Sequence, residues 1–153
     1  YFVLYFAQRN GEFPLISDYP RNAYATIGTH DVPSLQSFWH CRDLELFNQL
    51  GILNEEVLKQ KYDQRVMDEG DALSMAMHDH LNRMIHHYLA ESNSRLIGVQ
   101  LENLLSQEIS FNLPGTSNEY PNWCKKLAQP LGFIFSNEAL ETFFVQINQG
   151  RNV

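Results

Sequence analysis

Asn22-Ala23-Tyr24-Ala25-Thr26-Ile27-Gly28-Thr29-His30-Asp31-Val32-Pro33 reads as a strand, a polar loop and the start of a helix in immediate succession. Residues 22–28 are small, aromatic and β-branched, and they end on a glycine, which is the pattern of a short strand. Pro33 with Ser34 opens a helix, along which Leu35, Phe38, Trp39, Leu46 and Leu50 share one face at a spacing near 3.6. Gly51 closes it as a C′ residue. A strand running through a polar loop into a helix is the unit of a parallel sheet covered by helices. In such a sheet, chemistry gathers at the carboxyl ends of the strands.

The rest of the chain repeats this alternation. Tyr1-Phe2-Val3-Leu4-Tyr5-Phe6 is apolar from its first residue, and residues 2–7 read as a buried strand. Gly11, Pro14, Asp18 and Pro20 mark a connection. Asn54 reads as an N-cap, with Glu55 and Glu56 in the first turn, opening a helix to about Asp68 that Gly70 ends. Residues 71–91 place Leu73, Met77, Leu81, Met84, Ile85, Tyr88 and Leu89 on an amphipathic stripe, with Met75, Met77 and Met84 packed in the core. Leu96-Ile97-Gly98-Val99-Gln100-Leu101 reads as a third strand, buried on both faces. A turn of helix is expected around Trp123, over 119–128, and a last helix capped by Ser136 and ending near Asn148. Three apolar strands make an uncomfortable parallel sheet, because both edges stay open. The strand-like opening without a Met points the same way, to a piece of something longer with self-association through its exposed strand edges.

At 153 residues, 44% hydrophobic and 19% charged, the chain has material for one domain with a core. A net charge of -7 with no stripe of Lys or Arg argues against nucleic acid as a partner. No apolar run reaches membrane-spanning length, so no membrane is expected. Cys41 and Cys124 stand far apart outside any CxxC, which reads as two reduced thiols of a cytosolic protein, with one disulfide left open.

Several residues could carry chemistry. His30-Asp31 follows a strand and precedes a helix, where a carboxylate can steady positive charge on a sugar ring and an imidazole can hold hydroxyls. The residues alone leave a second reading open, since an Asp two residues before Pro often caps the next helix through an Asx turn. The run Asn112-Leu113-Pro114-Gly115-Thr116-Ser117-Asn118-Glu119-Tyr120-Pro121-Asn122-Trp123 offers amides for hydroxyls and aromatic platforms for apolar sugar faces. An ordinary surface loop with its Trp tucked inward fits it equally. His78, His80, His86 and His87 lack the spacing of HExxH and scatter over a solvated helix face, so no metal is expected. Asp43 and Glu45 point to different sides of a helix; Glu102, just after the third strand, is a better candidate for a pocket acid, although it reads first as an acid in the opening turn of a helix.

Four blocks, Tyr19-Pro20-Arg21-Asn22, Ile27-Gly28-Thr29-His30-Asp31, Asn112-Leu113-Pro114-Gly115-Thr116 and Glu119-Tyr120-Pro121-Asn122-Trp123, together resemble the carboxy-terminal blocks of the 4-alpha-glucanotransferases of glycoside hydrolase family 77. The resemblance implies an α/β, helix-rich piece of a (β/α)8 TIM barrel. Residues 1–153 would form its C-terminal portion, about strands 6–8 with their helices. Residues 30–50 and 54–91 would be the helical segments and 110–123 the substrate-side loop. It implies a cytoplasmic enzyme that moves segments of α-1,4-glucans, among them maltooligosaccharides, by a retaining double displacement without metal or organic cofactor. Asp31 matches the transition-state-stabilising carboxylate and His30 its sugar-binding neighbour. Asn112 matches a substrate-contacting amide, and Gln100 is a further candidate from its place at a strand end. The nucleophile and the acid/base of the family match nothing here and would lie before Tyr1, so this chain alone is expected to be inactive. Gln36 and Cys124 stand where the family commonly has Arg. A non-catalytic carbohydrate-binding or structural piece, and a related α-glucan hydrolase or debranching enzyme, are the alternatives.

Overall fold

The computed structural model describes residues 1–7, 13–69 and 74–151. The readings at Gly11, Gly70 and Leu73, and those of the Met75, Met77 and His78 side chains, fall outside what it describes.

Three short strands form one parallel sheet in the order β1 (Phe2–Val3), β2 (Tyr24–Thr26), β3 (Leu96–Gly98). Ala25 pairs with Phe2 on one side and Ile97 on the other. Among the described residues, seven α-helices follow the strands: α1 (Leu35–Trp39), α2 (Arg42–Gln49), α3 (Glu55–Glu69) and α4 (Ser74–Ala90) after β2, then α5 (Leu101–Leu104), α6 (Leu131–Phe135) and α7 (Glu138–Gln149) after β3. The central strand is buried between its two neighbours: Ala25 and Thr26, and Ile27 just after them, are almost fully covered. Leu4, Tyr19 and Leu89 pack with Ala25 and Ile27 as one core, and Ala90, Phe143 and Ile147 form a second core under α7.

The first strand is shorter than residues 2–7. After Val3 the chain turns into a 3-10 turn at Leu4–Phe6, and the Tyr5 N–H crosses to the Ile27 carbonyl. β3 is an edge strand, and Leu96 is 63% exposed, which corrects the expectation of burial on both faces. The helix expected from Pro33 to Leu50 is broken in two at Cys41, whose backbone is left-handed with φ 56°. The break resets the helical phase and brings Leu44 inward in place of Leu46 or Leu50. It also turns Asp43 inward, where the Arg65 guanidinium holds both of its oxygens, at 2.6 and 3.1 Å, and the Phe38 carbonyl as well. Asp43 and Glu45 do face different ways, since Glu45 pairs with Arg42. Gly51 has φ 67° and Asn54 accepts the Val57 N–H, as the sequence implied.

Two further expectations change. No helix forms around Trp123, because Trp123 itself is left-handed at φ 61° and residues 119–128 are bends and turns. The last helix is capped by Asn137, which accepts the Ala139 and Leu140 N–H groups, while Ser136 closes α6 by donating to the Phe133 carbonyl. Cys41 is buried and Cys124 exposed, and neither is in a disulfide. Among the described residues no helix is long and apolar enough to cross a membrane.

The inward stripe of α4 is Asn82, Ile85, His86, Leu89 and Ala90, at helical spacing but with two polar members. Met84 and Leu81 are exposed, against the apolar count. His86 is fully covered, which corrects its placement on a solvated face, although His80 is exposed as expected. The interior accommodates it because the Asn82 carbonyl accepts from His86 Nδ1 at 2.8 Å and Phe143 meets the ring edge-on. A carbonyl can only accept, so Nδ1 carries the proton of a neutral imidazole. Burial pushes the His86 pKa down from 6.5 to about 4, against the opposing pull of the Asn82 carbonyl. Between those values the unfolded chain binds a proton that the folded chain refuses. This contribution to stability is therefore complete above pH 6.5 and is lost as the pH falls to 4, about 3 kcal/mol in all. Urea midpoints should fall across that window, and His86→Gln should flatten the profile. An identical slope in the variant would assign the loss to other groups.

Candidate functional site

Both polar segments singled out in the sequence meet at the carboxyl end of β2. The chain leaves Thr26 through Ile27 and Gly28 and reaches His30 and Asp31, which are both about half exposed on their side chains. Asp31 does not cap the following helix. Ser34 does so, its hydroxyl accepting the Ser37 N–H at 3.2 Å. The Asp31 Oδ1 instead accepts the Asn112 amide at 2.6 Å, and His30 Nε2 lies 3.4 Å from the same oxygen. The Asp31 N–H donates to Thr29 Oγ1 at 3.1 Å, which tightens the turn. Among the described residues, Asp31 Oδ2 takes no hydrogen bond and is open to a ligand hydroxyl.

The partner loop is built for rigidity. Leu113-Pro114-Gly115-Thr116 makes a turn in which Thr116 N–H donates to the Leu113 carbonyl, with Gly115 at φ 86°. Pro at the second place and a positive-φ Gly at the third are what a type II turn requires. Asn122 staples this turn to the Trp: its Oδ1 accepts the Leu113 N–H at 2.8 Å and its amide donates to the Thr116 carbonyl and hydroxyl. Tyr120 is buried and donates its hydroxyl to the Ser110 carbonyl, so it anchors the loop from beneath. Trp123 is 62% exposed and lies against His30, with ring centroids 4.8 Å apart. Its backbone N–H is fixed to the Phe111 carbonyl.

The approach to Asn112 is tied down as well. The Ser34 hydroxyl donates to the Gln107 carbonyl, and the Ser34 N–H meets the Ile109 carbonyl. Glu108 accepts from His40 and from Arg42 Nε. Desolvation raises the Glu108 carboxyl, and the hydrogen bonds from His40 and Arg42 outweigh it, so it titrates below the usual carboxylate range.

An open cleft of about 380 Å3 runs beside these groups, with Tyr24, Gly28, His30, Gln100, Glu102 and Phe111 on its walls. A larger hollow of about 570 Å3 near Phe2, Phe6 and Phe13 holds none of the candidate residues. Gln100 borders the cleft, but both ends of its amide are engaged by protein. Its Oε1 accepts the Gly28 N–H at 2.8 Å and its Nε2 donates to Glu102 at 3.1 Å. The structure thus joins Asp31, His30 and Asn112 directly and sets Gln100 behind them. Sequence reading takes Ser34 as the start of a helix, which it caps, but does not single out its reach to the Gln107 carbonyl, nor Asn122 or Asn103. Asn122 had a usable signal, since Asn in a Pro-rich turn commonly bonds nearby backbone. The contacts of Ser34 with Gln107 and of Asn103 with Leu35 span more than sixty residues and leave no local trace.

The arrangement presents one carboxylate, an imidazole, an amide and an exposed indole on one surface. Among the described residues no group of three or more His, Cys, Asp or Glu is placed to hold a metal ion. The sequence profile of the family described as 4-alpha-glucanotransferase, glycoside hydrolase family 77, matches residues 1–131. A 4-alpha-glucanotransferase of Haemophilus influenzae is 85% identical across the whole chain, which covers 24% of that relative. One from Mycobacterium tuberculosis is 26% identical over 71% of the chain and 16% of its own length. The crystal structure of amylomaltase from Corynebacterium glutamicum superposes with a TM-score of 0.76 over 97% of this chain and 25% of that one, at 20% identity, a likeness of fold. The chain therefore spans a quarter or less of the length of these relatives. By the profile match and by the Haemophilus relative, the chain belongs to the 4-alpha-glucanotransferase family, glycoside hydrolase family 77.

Proposed function

We propose that this chain is part of an enzyme that transfers a segment of an α-1,4-glucan to the 4-hydroxyl of glucose or another glucan. In this reading, residues 1–153 are the C-terminal portion of a (β/α)8 barrel, about strands 6 to 8, and the enzyme works on maltooligosaccharides in the cytoplasm. The observation that carries it is the 2.6 Å bond between Asn112 and Asp31, which unites two segments eighty-one residues apart around one open carboxylate oxygen.

The chemistry follows from charge. Leaving-group departure from a glucan places positive charge on the ring, and a retaining route meets it with a nucleophilic carboxylate and a separate acid/base about 5 Å apart. The resemblance puts both of these before Tyr1. Asp31 contributes a third carboxyl group, ionised, whose charge steadies the ring when sugar displaces water and the local dielectric falls. Asn112 fixes Oδ1 and leaves Oδ2 for ring hydroxyls. His30 holds a neighbouring hydroxyl, and Trp123 gives the apolar face of a sugar a flat surface. Neither metal nor organic cofactor enters this route.

The test is the product pattern of the intact parent on maltotriose. Glucose together with maltopentaose and longer glucans is the expected result. Glucose and maltose alone would mean attack by water, and the related hydrolase would replace the transferase. Binding without turnover would favour a carbohydrate-binding role, for which the exposed indole of Trp123 is the supporting observation.

A further inference from the structure

The loop that carries Asp31 is held at both ends by side chains from the single turn that follows β3. At its start the Gly28 N–H donates to Gln100 Oε1 at 2.8 Å. At its end the Leu35 N–H, the first of α1, donates to Asn103 Oδ1 at 2.8 Å. The two side chains are themselves joined, with Asn103 Nδ2 donating to Gln100 Oε1 at 3.2 Å. Asn103 is 1% exposed, and its own carbonyl accepts the buried Asn82 amide. Glu102 completes the set from the outside by accepting Gln100 Nε2 at 3.1 Å.

Gly28 makes the close approach feasible. A Cβ there would stand 2.9 Å from Val32 Cγ2 and 3.2 Å from Gln100 Oε1, so a side chain would have to displace the Val32 methyl and crowd the Gln100 amide by a few tenths of an ångström. The acceptor inventory also closes. Gln100 Oε1 receives two donors and its Nε2 one acceptor, which leaves the amide little capacity for a sugar.

Resting on the function proposed above, we propose that Gln100 and Asn103 are positioning residues that set where the Asp31 carboxylate stands. They fix residues 28 and 35, and the six residues between them follow. Gln100 then borders the cleft without being a ligand.

Three variants of the intact parent test this. Gln100→Leu removes the acceptor, and turnover on maltotriose should fall at least tenfold while KM stays within about twofold. Gln100→Glu alone sets a carboxylate at position 100 against that of Glu102, and turnover should fall similarly. Gln100→Glu with Glu102→Gln exchanges donor and acceptor, keeps an oxygen for Gly28 and Asn103, and should recover most of the turnover. A sugar ligand would behave differently: KM would rise and the exchanged pair would not recover. Amide hydrogen exchange gives a readout independent of activity. Gly28 and Leu35 should exchange slowly in the native protein, and Gly28 should speed up at least tenfold in Gln100→Leu and slow again in the exchanged pair. Unchanged exchange in Gln100→Leu overturns the proposal, and so does faster exchange with native turnover. If the native parent moves no glucan, the proposed activity falls, and exchange at Gly28 and across residues 29–34 decides whether the pair holds the loop. Should Gln100→Leu not fold, the two isosteric variants carry the same comparison.

Discussion

Asp31→Asn in the intact parent is expected to lower turnover on maltotriose by a factor on the order of 10²–10³ or more, the scale of losing one preorganised electrostatic partner of a transition state. The melting point should stay near native. The substitution keeps size and shape, and the remaining Asn carbonyl can still accept the Asn112 amide that now reaches Oδ1 at 2.6 Å. The side chain is also 46% exposed, so folding asks little of its charge. What disappears is the negative charge facing the sugar. KM should change less than turnover, because the charge matters most when the ring is positive. Native turnover in the variant would remove Asp31 from the mechanism. A collapsed melting point would assign it a structural role instead.

The second large effect concerns the 153-residue chain by itself. It is expected to convert no maltotriose, a deficit against the parent of about 10⁶ or more, comparable to deleting the nucleophile of a covalent catalyst. A retaining displacement needs two carboxyls about 5 to 5.5 Å apart. The described partners of the Asp31 side chain are an amide and an imidazole. Glu102, on the wall of the cleft that His30 lines, is engaged by the Gln100 amide. Glucose plus longer glucans from the purified chain would overturn the placement of the nucleophile before Tyr1. Glu102→Gln would then be the first variant to make.

Much of this arrangement could be read from the residues, and the parts that could not share a cause. β2, β3, the Asn54 cap and the Gly51 terminus were legible because each depends on a few adjacent side chains. The meeting of Asp31 with Asn112 was legible only through family resemblance, since no local rule joins residues that far apart. The helix break at Cys41 was missed because a salt bridge from Arg65, in a different helix, draws Asp43 inward and sets a new helical phase. On α4 the apolar count chose Met84 and Leu81, whereas the buried places went to Asn82 and His86. A period of 3.6 finds a stripe but cannot tell which polar side chains will find partners inside it. Asn82 has the Asn103 carbonyl and His86 has that of Asn82, and neither partner is visible from hydropathy. The exposed Leu96 is the counterpart on the sheet: its strand was read correctly and its cover was not.

The seating of Trp123 has an optical consequence. The chain has two tryptophans, and they occupy unlike surroundings. Trp39 is half-buried at the end of α1, where it keeps its environment as long as the protein stays folded. Trp123 stands in solvent with the imidazole of His30, the residue before Asp31, across its ring. A sugar ring laid on that indole would strip water from it and alter its emission, with Trp39 as a built-in reference. Sugar binding beside His30 can therefore be followed by intrinsic fluorescence, without a label and without turnover, even in a variant that has lost all activity.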